Sequence, residues 1–514
     1  MTDIYCPDHH AATDPDRLAY CLCDSGETVS FGQLTARSNQ GAHLLRGEGV
    51  ETGQHILILM ENRREFLEVC FAADRAGVYY TTVSTQLKLD EIVYIARDCG
   101  ARVLVLSDHF APLAEALRKA LGDGCKLFMV GEPSPGYESW TTRADGLPEA
   151  PIADPAQGLD MLYSSGTTGR PKGIKWPLPG GRQGESTMLI DLLTDLFGYG
   201  RETRYLNPAP LYHAAPLRHA MVTIKAGGCV FVMKKFDAEA ALAIIEAEKI
   251  THSQWVPTMF VRMLKLPETV RRRYDVSSLR MAVHAAAPCP QDVKRKMIDW
   301  WGPIVHEYYA GTENNGFCAI TSEEWLAHPG SVGRAKLGRL HICDAEGEEL
   351  PLGAEGEVYF SEGHSFVYHN DPEKTAASRN AAGWTTLGDI GRLDAEGYLY
   401  LTDRKSFVIN SGGVNIYPQE AENILIGHPS VVDAAVIGIP NEDFGEEVKA
   451  VVQLTDSAEA SPDLERALID YCAERIARFK CPRSVDFRQT LPREPTGKLM
   501  KRLLRDEYRK PARS

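Results

Sequence analysis

The sequence predicts an α/β protein: a large N-terminal domain of two similar α/β subdomains plus a small β subdomain, followed by a small α+β C-terminal domain. Three observations carry this. At 514 residues the chain exceeds what one hydrophobic core holds. Short apolar runs alternate with amphipathic stretches up to residue 310, the pattern of strands joined by helical crossovers. The texture changes beyond Gly330 to short strands between Gly and Asp turns, and again near residue 404 to a compact α+β pattern.

In order, HILILM at 55–60 reads as a strand, Arg63 to Ala76 as a helix, VYYTTVS as a strand and LKLDEIVYIARD as a helix. ARVLVLS at 101–107, a further helix and KLFMVG at 126–131 complete a β-α-β-α-β series, hence a parallel sheet. A second series runs from GGCVFVM at 227–233 through a helix from Ala238 to Glu248, then SQWVP, LRMAVHAAA and IVHEYYA at 304–310, with helices between. GEVYF at 356–360 and GYLYLTD at 397–403 are expected strands of the β subdomain. A helix near 418–427, strands at 431–439 and 447–454 and a helix from Asp463 to Arg478 follow. The expected domains are therefore 1–403 and 404–514, with no solenoid-period repeat.

Composition narrows the class. A hydrophobic share of 44% and a charged share of 25% belong to an ordinary globular protein. The formal charge of -14 disfavours nucleic acid as a partner. Twelve scattered cysteines without paired CxxC spacing read as reduced cytosolic thiols, not as a zinc site. The start MTDIYCPDHHAATDPDR has no basic or apolar leader, and no run of about eighteen apolar residues occurs. A cytoplasmic location without an integral membrane segment is expected, and a homodimer is left open.

Chemistry concentrates first in Tyr163, Ser164, Ser165, Gly166, Thr167, Thr168, Gly169, Arg170, Pro171, Lys172 and Gly173. Glycines free the backbone to turn N–H groups inward, hydroxyls add donors and Lys172 adds charge, which together make a cradle for phosphate oxygens. It is not a Walker loop, because Lys172 is followed by Gly173 instead of Ser or Thr. Taken alone, a solvated Gly/Ser/Thr loop is an equally good reading.

The string closely resembles the phosphate loop of the AMP-forming adenylate family: acyl-CoA synthetases, coumarate ligases, firefly luciferase and adenylation domains. The resemblance runs from about residue 28 to 505, closest to bacterial synthetases for medium-chain or bulky acids, and other motifs follow in the family's order. Tyr309-Ala310-Gly311-Thr312-Glu313 looks like the family's Tyr-Gly-x-Thr-Glu element, with Ala310 in place of Gly. By that resemblance Tyr309 lies against adenine, Thr312 contacts the α-phosphate and Glu313 helps hold Mg²⁺, with Ser164 a weaker metal candidate. Asp389 matches the ribose carboxylate and Arg404 the arginine after the next hairpin. Ala285, Ala286, Ala287 and Pro288 resemble the small-residue segment against which adenine packs.

Pro495-Thr496-Gly497-Lys498 resembles the loop that brings a catalytic lysine to the adenylation site, where two anions must meet. Ser411-Gly412-Gly413 resembles the loop that admits coenzyme A in the second half-reaction. The resemblance also implies a mobile C-terminal domain that turns about the residue aligned with Ser406, where Ser406 and Phe407 replace the family's Lys or Asp and acidic residue. His213 resembles the residue that closes the acyl channel, and Trp255 falls where the acyl pocket is lined, although core packing is an equal role for that Trp.

The implied function is an ATP-dependent acyl-CoA ligase acting on a medium-chain or bulky carboxylic acid, with ATP, Mg²⁺ and coenzyme A. Alternatives are a stand-alone enzyme that loads a carrier protein, oxidation of the adenylate as in luciferase, or a nucleotide-binding protein without catalysis. Since the sequence ends soon after Lys498, no fused carrier is expected. There is no GxGxxG, GxSxG or HExxH signature.

Overall fold

A computed structural model describes residues 4–164, 171–412, 414–457, 460–493 and 499–509. The chain packs as two units, Met1–Trp255 with Leu266–Ala282 and Ser365–Thr375, and Val256–Lys265 with Val283–His364 and Ala376–Ser514.

The first unit holds the expected parallel sheet. Its six strands lie in the order Glu138–Ser139, Lys126–Val130, Ala101–Ser107, His55–Leu59, Tyr79–Thr82 and Leu159–Asp160, all parallel. Every residue of His55–Leu59 is buried, as befits a central strand covered on both faces. The crossover helix Arg64–Arg75 lies where the periodicity puts it. Helix Phe31–Gly47 starts at a capping box in which Ser30 and Gln33 satisfy each other's backbone N–H.

The second series departs from the sequence reading in one respect. The early strand Leu18–Leu22 forms a hairpin with Glu27–Ser30 and also pairs in parallel with Cys229–Val232, Tyr20 opposite Val230. That partner is too remote in sequence for local periodicity to reveal. Cys229–Val232 pairs in turn with Arg204–Asn207, and that strand with His252–Trp255.

In the second unit, Val305–Tyr309, Phe317–Ile320 and Arg334–Leu337 run antiparallel. Arg339–Cys343, Gly356–Ser361, Thr385–Leu393 and Leu399–Arg404 form the four-stranded antiparallel sheet of the β subdomain. Next, Val414–Ile416, Ile409–Ser411, Gly445–Leu454 and Val431–Asn441 pair in that order, and Ser484–Arg488 joins Gly445–Leu454 in parallel. Helix Pro418–Ile426 begins on a proline, whose missing N–H costs nothing there. Helix Pro462–Ala473 is shorter than the sequence suggests: the Cys472 carbonyl accepts from both Arg475 and Ile476, and the chain leaves the helix. The large N-terminal and small C-terminal α/β parts thus take the expected form.

Candidate functional site

In the second unit four of the sequence-predicted residues meet. Asp389 and Arg404 sit directly opposite each other on the antiparallel strands Thr385–Leu393 and Leu399–Arg404, so the hairpin itself creates the pair. Arg404 Nε donates to Asp389 Oδ1 at 2.9 Å, and Tyr309 Oη donates to Asp389 Oδ2 at 2.6 Å. Burial, and then the Asp389 carboxylate, push the Tyr309 phenol well above its ordinary range, so it stays a donor. The Arg404 guanidinium is raised chiefly by Asp389, and Tyr309 and Glu313 act in the same direction, which puts Glu313 in the same electrostatic neighbourhood.

The approach to Glu313 is tight. Strand Val305–Tyr309 ends, the Asn314 N–H bonds the Gly311 carbonyl at 3.1 Å, and the chain returns as Phe317–Ile320. A Cβ on Gly311 would fall 2.4 Å from Leu387 and 2.7 Å from the Glu313 carboxylate. The close backbone approach therefore falls on Gly311, and Ala310 in place of the family's Gly is accommodated. Thr312 is half-buried in this turn and Glu313 is buried. Among the described residues no group of three or more His, Cys, Asp or Glu could cage a metal ion. A single buried carboxylate suits Mg²⁺, which keeps waters and nucleotide phosphates as its other ligands.

Ala285 is buried, Ala287 half-buried, and Ala286 and Pro288 exposed. Ala286 takes φ +74°, a left-handed conformation that costs a non-glycine residue roughly 1–2 kcal/mol. Such strain occurs where surrounding structure and function demand it.

In the C-terminal part, Gly412 takes φ +59° and donates its N–H to the Phe444 carbonyl at 2.8 Å. Ser411 pairs with Val414 and Gly445 across the sheet. At Ser406, the backbone carbonyl accepts from Arg505 Nη1 at 3.0 Å, and the Lys501 ammonium stands 5.4 Å from the Phe407 ring centre. Lys501 also pairs with buried Glu422 at 2.8 Å. Helix Lys501–Arg509 therefore grips the segment where the family's charged pair is missing. Gly413 and Lys498 lie outside the described residues.

The first unit carries the flanks of the segment that resembles a phosphate loop. Leu162–Ser164 and Lys172–Lys175 form an antiparallel hairpin with Ser164 opposite Lys172, which is not the strand-loop-helix of a Walker motif. Ser165, Gly166, Thr167, Thr168 and Gly169 lie outside the described residues. Tyr163 Oη donates to Asp98 Oδ2 at 2.5 Å, and the Lys172 ammonium stands 5.0 Å from the Tyr368 ring centre. His213 is half-buried just before helix Ala214–Lys225, its ring 4.6 Å from that of Tyr212. Trp255 is fully buried, its indole N–H donating to Ser253 Oγ at 2.7 Å and its ring edge-on to Phe236.

Sequence reasoning passed over a buried ionic cluster in the second unit, on the strand that carries Tyr309. Lys294 Nζ donates to Glu307 Oε2 at 2.6 Å, and His284 Nε2 lies 3.5 Å from the same oxygen. The signal was present: Lys294 shares one face of helix Gln291–Trp301 with buried Met297, Ile298 and Trp301, a core position for a charged residue.

The chain matches the AMP-binding enzyme family over residues 7–366 and the AMP-binding enzyme C-terminal domain over residues 420–498. It is 31% identical over 506 residues to the long-chain-fatty-acid–CoA ligase FadD13 of Mycobacterium tuberculosis, covering 97% of each chain. It is also 31% identical to the fatty acid–[acyl-carrier-protein] ligase ScoC of Streptomyces coeruleorubidus, covering 97% of this chain and 95% of that one. Among solved structures, the anthranilate CoA ligase AuaEII in complex with anthranoyl-AMP matches at a TM-score of 0.82 and 26% identity, over 99% of this chain and 98% of that one. The chain belongs to the AMP-binding enzyme family. It is an acid–thiol ligase of that family.

Proposed function

We propose that the chain adenylates a medium-chain or bulky carboxylic acid and then transfers the acyl group to the thiol of coenzyme A. The observation that carries this reading is the convergence of Tyr309, Asp389 and Arg404, with Glu313 beside them, in one charged cluster. Asp389 offers carboxylate oxygens to a ribose diol, Tyr309 an aromatic face to adenine and Arg404 a fixed guanidinium. Glu313, with Ser164 as the weaker candidate, would hold Mg²⁺, which supplies charge neutralisation at the phosphates.

In the first half-reaction a substrate carboxylate oxygen bonds to the α-phosphorus of ATP and the bond to pyrophosphate breaks. Lys498, Thr312 and the 164–172 loop compensate the charge that develops there. In the second, the thiol sulfur bonds to the acyl carbon, AMP departs and the thiol proton is lost. The C-terminal domain, from about residue 404, would turn between the steps to exchange Lys498 for the Ser411–Gly413 loop, in which Gly412 takes a left-handed φ. His213 and Trp255 are proposed for the acyl channel, His213 as its gate.

A second reading, transfer to a carrier protein, draws on the likeness to ScoC. A screen for thioester formation separates the possibilities. With ATP, Mg²⁺ and coenzyme A, acetate, linear acids of increasing length, benzoates, arylpropionates and a cholate are compared, each with a carrier protein as rival acceptor. Highest kcat/KM on a bulky acid with coenzyme A is expected. Preference for acetate would overturn the substrate assignment, and product only on the carrier would overturn the acceptor.

A further inference from the structure

Lys294 and His284 are fully buried, and Glu307 nearly so. The Lys294 ammonium bonds Glu307 at 2.6 Å and faces the Trp325 ring at 5.0 Å. Neither ring nitrogen of His284 has a hydrogen-bond partner among the described residues, and Nε2 lies 3.5 Å from the Glu307 oxygen. Burial first, and then the Lys294 charge, push the His284 imidazole well below its ordinary range. Phe260 closes its far side edge-on to His284.

Such an arrangement is a poor way to gain stability. Desolvating two charges costs most of what their attraction returns, and apolar residues of the same volume commonly serve as well or better. What the pair does have is position. Glu307 lies two residues before Tyr309 on strand Val305–Tyr309, on the same side of the pleat, with the Gly311–Asn314 turn beyond. Lys294 stands in the first turns of helix Gln291–Trp301, which the chain enters straight from the 285–288 segment, and His284 is the residue before that segment. One ion pair thus ties together the carriers of two separate stretches, one holding the left-handed Ala286 and the other Tyr309 and Glu313.

We propose that Lys294 is a positioning residue for the nucleotide: by clamping Glu307 it holds the 285–288 segment and the 309–313 turn at the separation that an adenosine monophosphate requires. The inference rests on the proposed nucleotide site. It assigns Lys294 no contact with the ligand; the clamp acts through Tyr309 and the backbone of the small-residue segment.

The test uses the full-length protein and AMP alone, which needs no knowledge of the acid. Lys294→Met leaves Glu307 buried without its partner, so both the melting temperature and AMP affinity fall. Lys294→Met/Glu307→Gln removes both charges at nearly constant volume. The clamp predicts a melting temperature restored to within a few degrees of wild type while the Kd for AMP, by calorimetric titration, stays raised tenfold or more. Recovery of both together would reduce the pair to a structural feature and overturn the proposal. Glu307→Asp, which keeps the charge but shortens its reach, is least prone to unfold and should raise the Kd as well; a wild-type Kd there contradicts the clamp. Asp389→Asn in parallel separates the two readings. A wild-type Kd in Asp389→Asn removes the nucleotide site and the clamp together, whereas a raised Kd there beside an unaltered one in the double variant removes the clamp alone.

Discussion

Tyr309 donates its hydroxyl hydrogen to Asp389 at 2.6 Å, on the opposite carboxylate oxygen from the one that Arg404 holds. The carboxylate is thereby fixed from both sides, and the phenol ring is anchored at its far end. Preorganisation of this kind reduces what binding must later spend on ordering side chains.

The relationship separates the roles of the two residues. Tyr309→Phe keeps the ring and loses one hydrogen bond, so the Kd for AMP should rise about threefold or less. Asp389→Ala removes the acceptor proposed for the ribose and leaves Arg404 without this partner, and a charged hydrogen bond is worth about 1.5–3 kcal/mol, so the Kd should rise by about tenfold or more. Titration calorimetry on both variants checks this, and equal losses would contradict it.

Gly412 supports a test of the second half-reaction. Its φ of +59° is left-handed, and a Cβ there would lie 3.2 Å from the Phe444 ring. Gly412→Leu should therefore disturb the Ser411–Gly413 loop while sparing the Tyr309–Asp389 cluster. Acid-dependent pyrophosphate exchange should persist within a few-fold and thioester formation should fall at least tenfold. Equal loss of both activities would contradict the division of labour.

Much of this was legible from residues close together in the chain. The strand before the 309–313 element and the crossover helices announce themselves through spacing and periodicity. The strand Leu18–Leu22 did not, because its place is decided by Cys229–Val232 far along the chain. Lys294 was missed for a related reason: in a helix rich in charge, one lysine looks solvated until its face is compared with that of Met297 and Trp301. The cross-strand register of Asp389 with Arg404 likewise depends on a bulge between Ile390 and Gly391, which no local pattern marks.

Acid should destabilise the protein through buried histidines. Burial holds His219 and His55 down at about 3 and His252 at about 4. Their folded values lie below the unfolded value near 6.5, so the unfolded chain binds protons that the folded chain refuses. This stability is fully present above pH 6.5 and is lost as the pH falls toward 4, by about 1.4 kcal/mol per histidine per pH unit. Glu68, raised to about 7 chiefly by burial, acts in the opposite sense, as do Glu307 and Glu422, which burial also raises. The melting temperature should therefore fall steadily from pH 7 to pH 5, and less steeply in His219→Gln. A flat profile would contradict this.

Lys498 is assigned to one half-reaction only. Lys498→Ala should slow adenylation by about a hundred- to a thousand-fold, the scale of losing a positioned electrostatic group. Supplied with presynthesised acyl-adenylate, the same variant should form thioester at near the wild-type rate. Wild-type adenylation would remove Lys498 from the mechanism, and equal loss of both steps would contradict the exchange of loops.

The measurement that bears most directly on the whole account follows both products in one reaction. The protein is incubated with ATP, Mg²⁺ and an acid from the panel, radiolabelled pyrophosphate exchange is recorded, and coenzyme A is then added. The account predicts exchange that depends on the acid, followed by acyl-CoA and AMP in equal amounts. Nucleotide binding without exchange under any acid would contradict it, as would exchange that yields no thioester with coenzyme A.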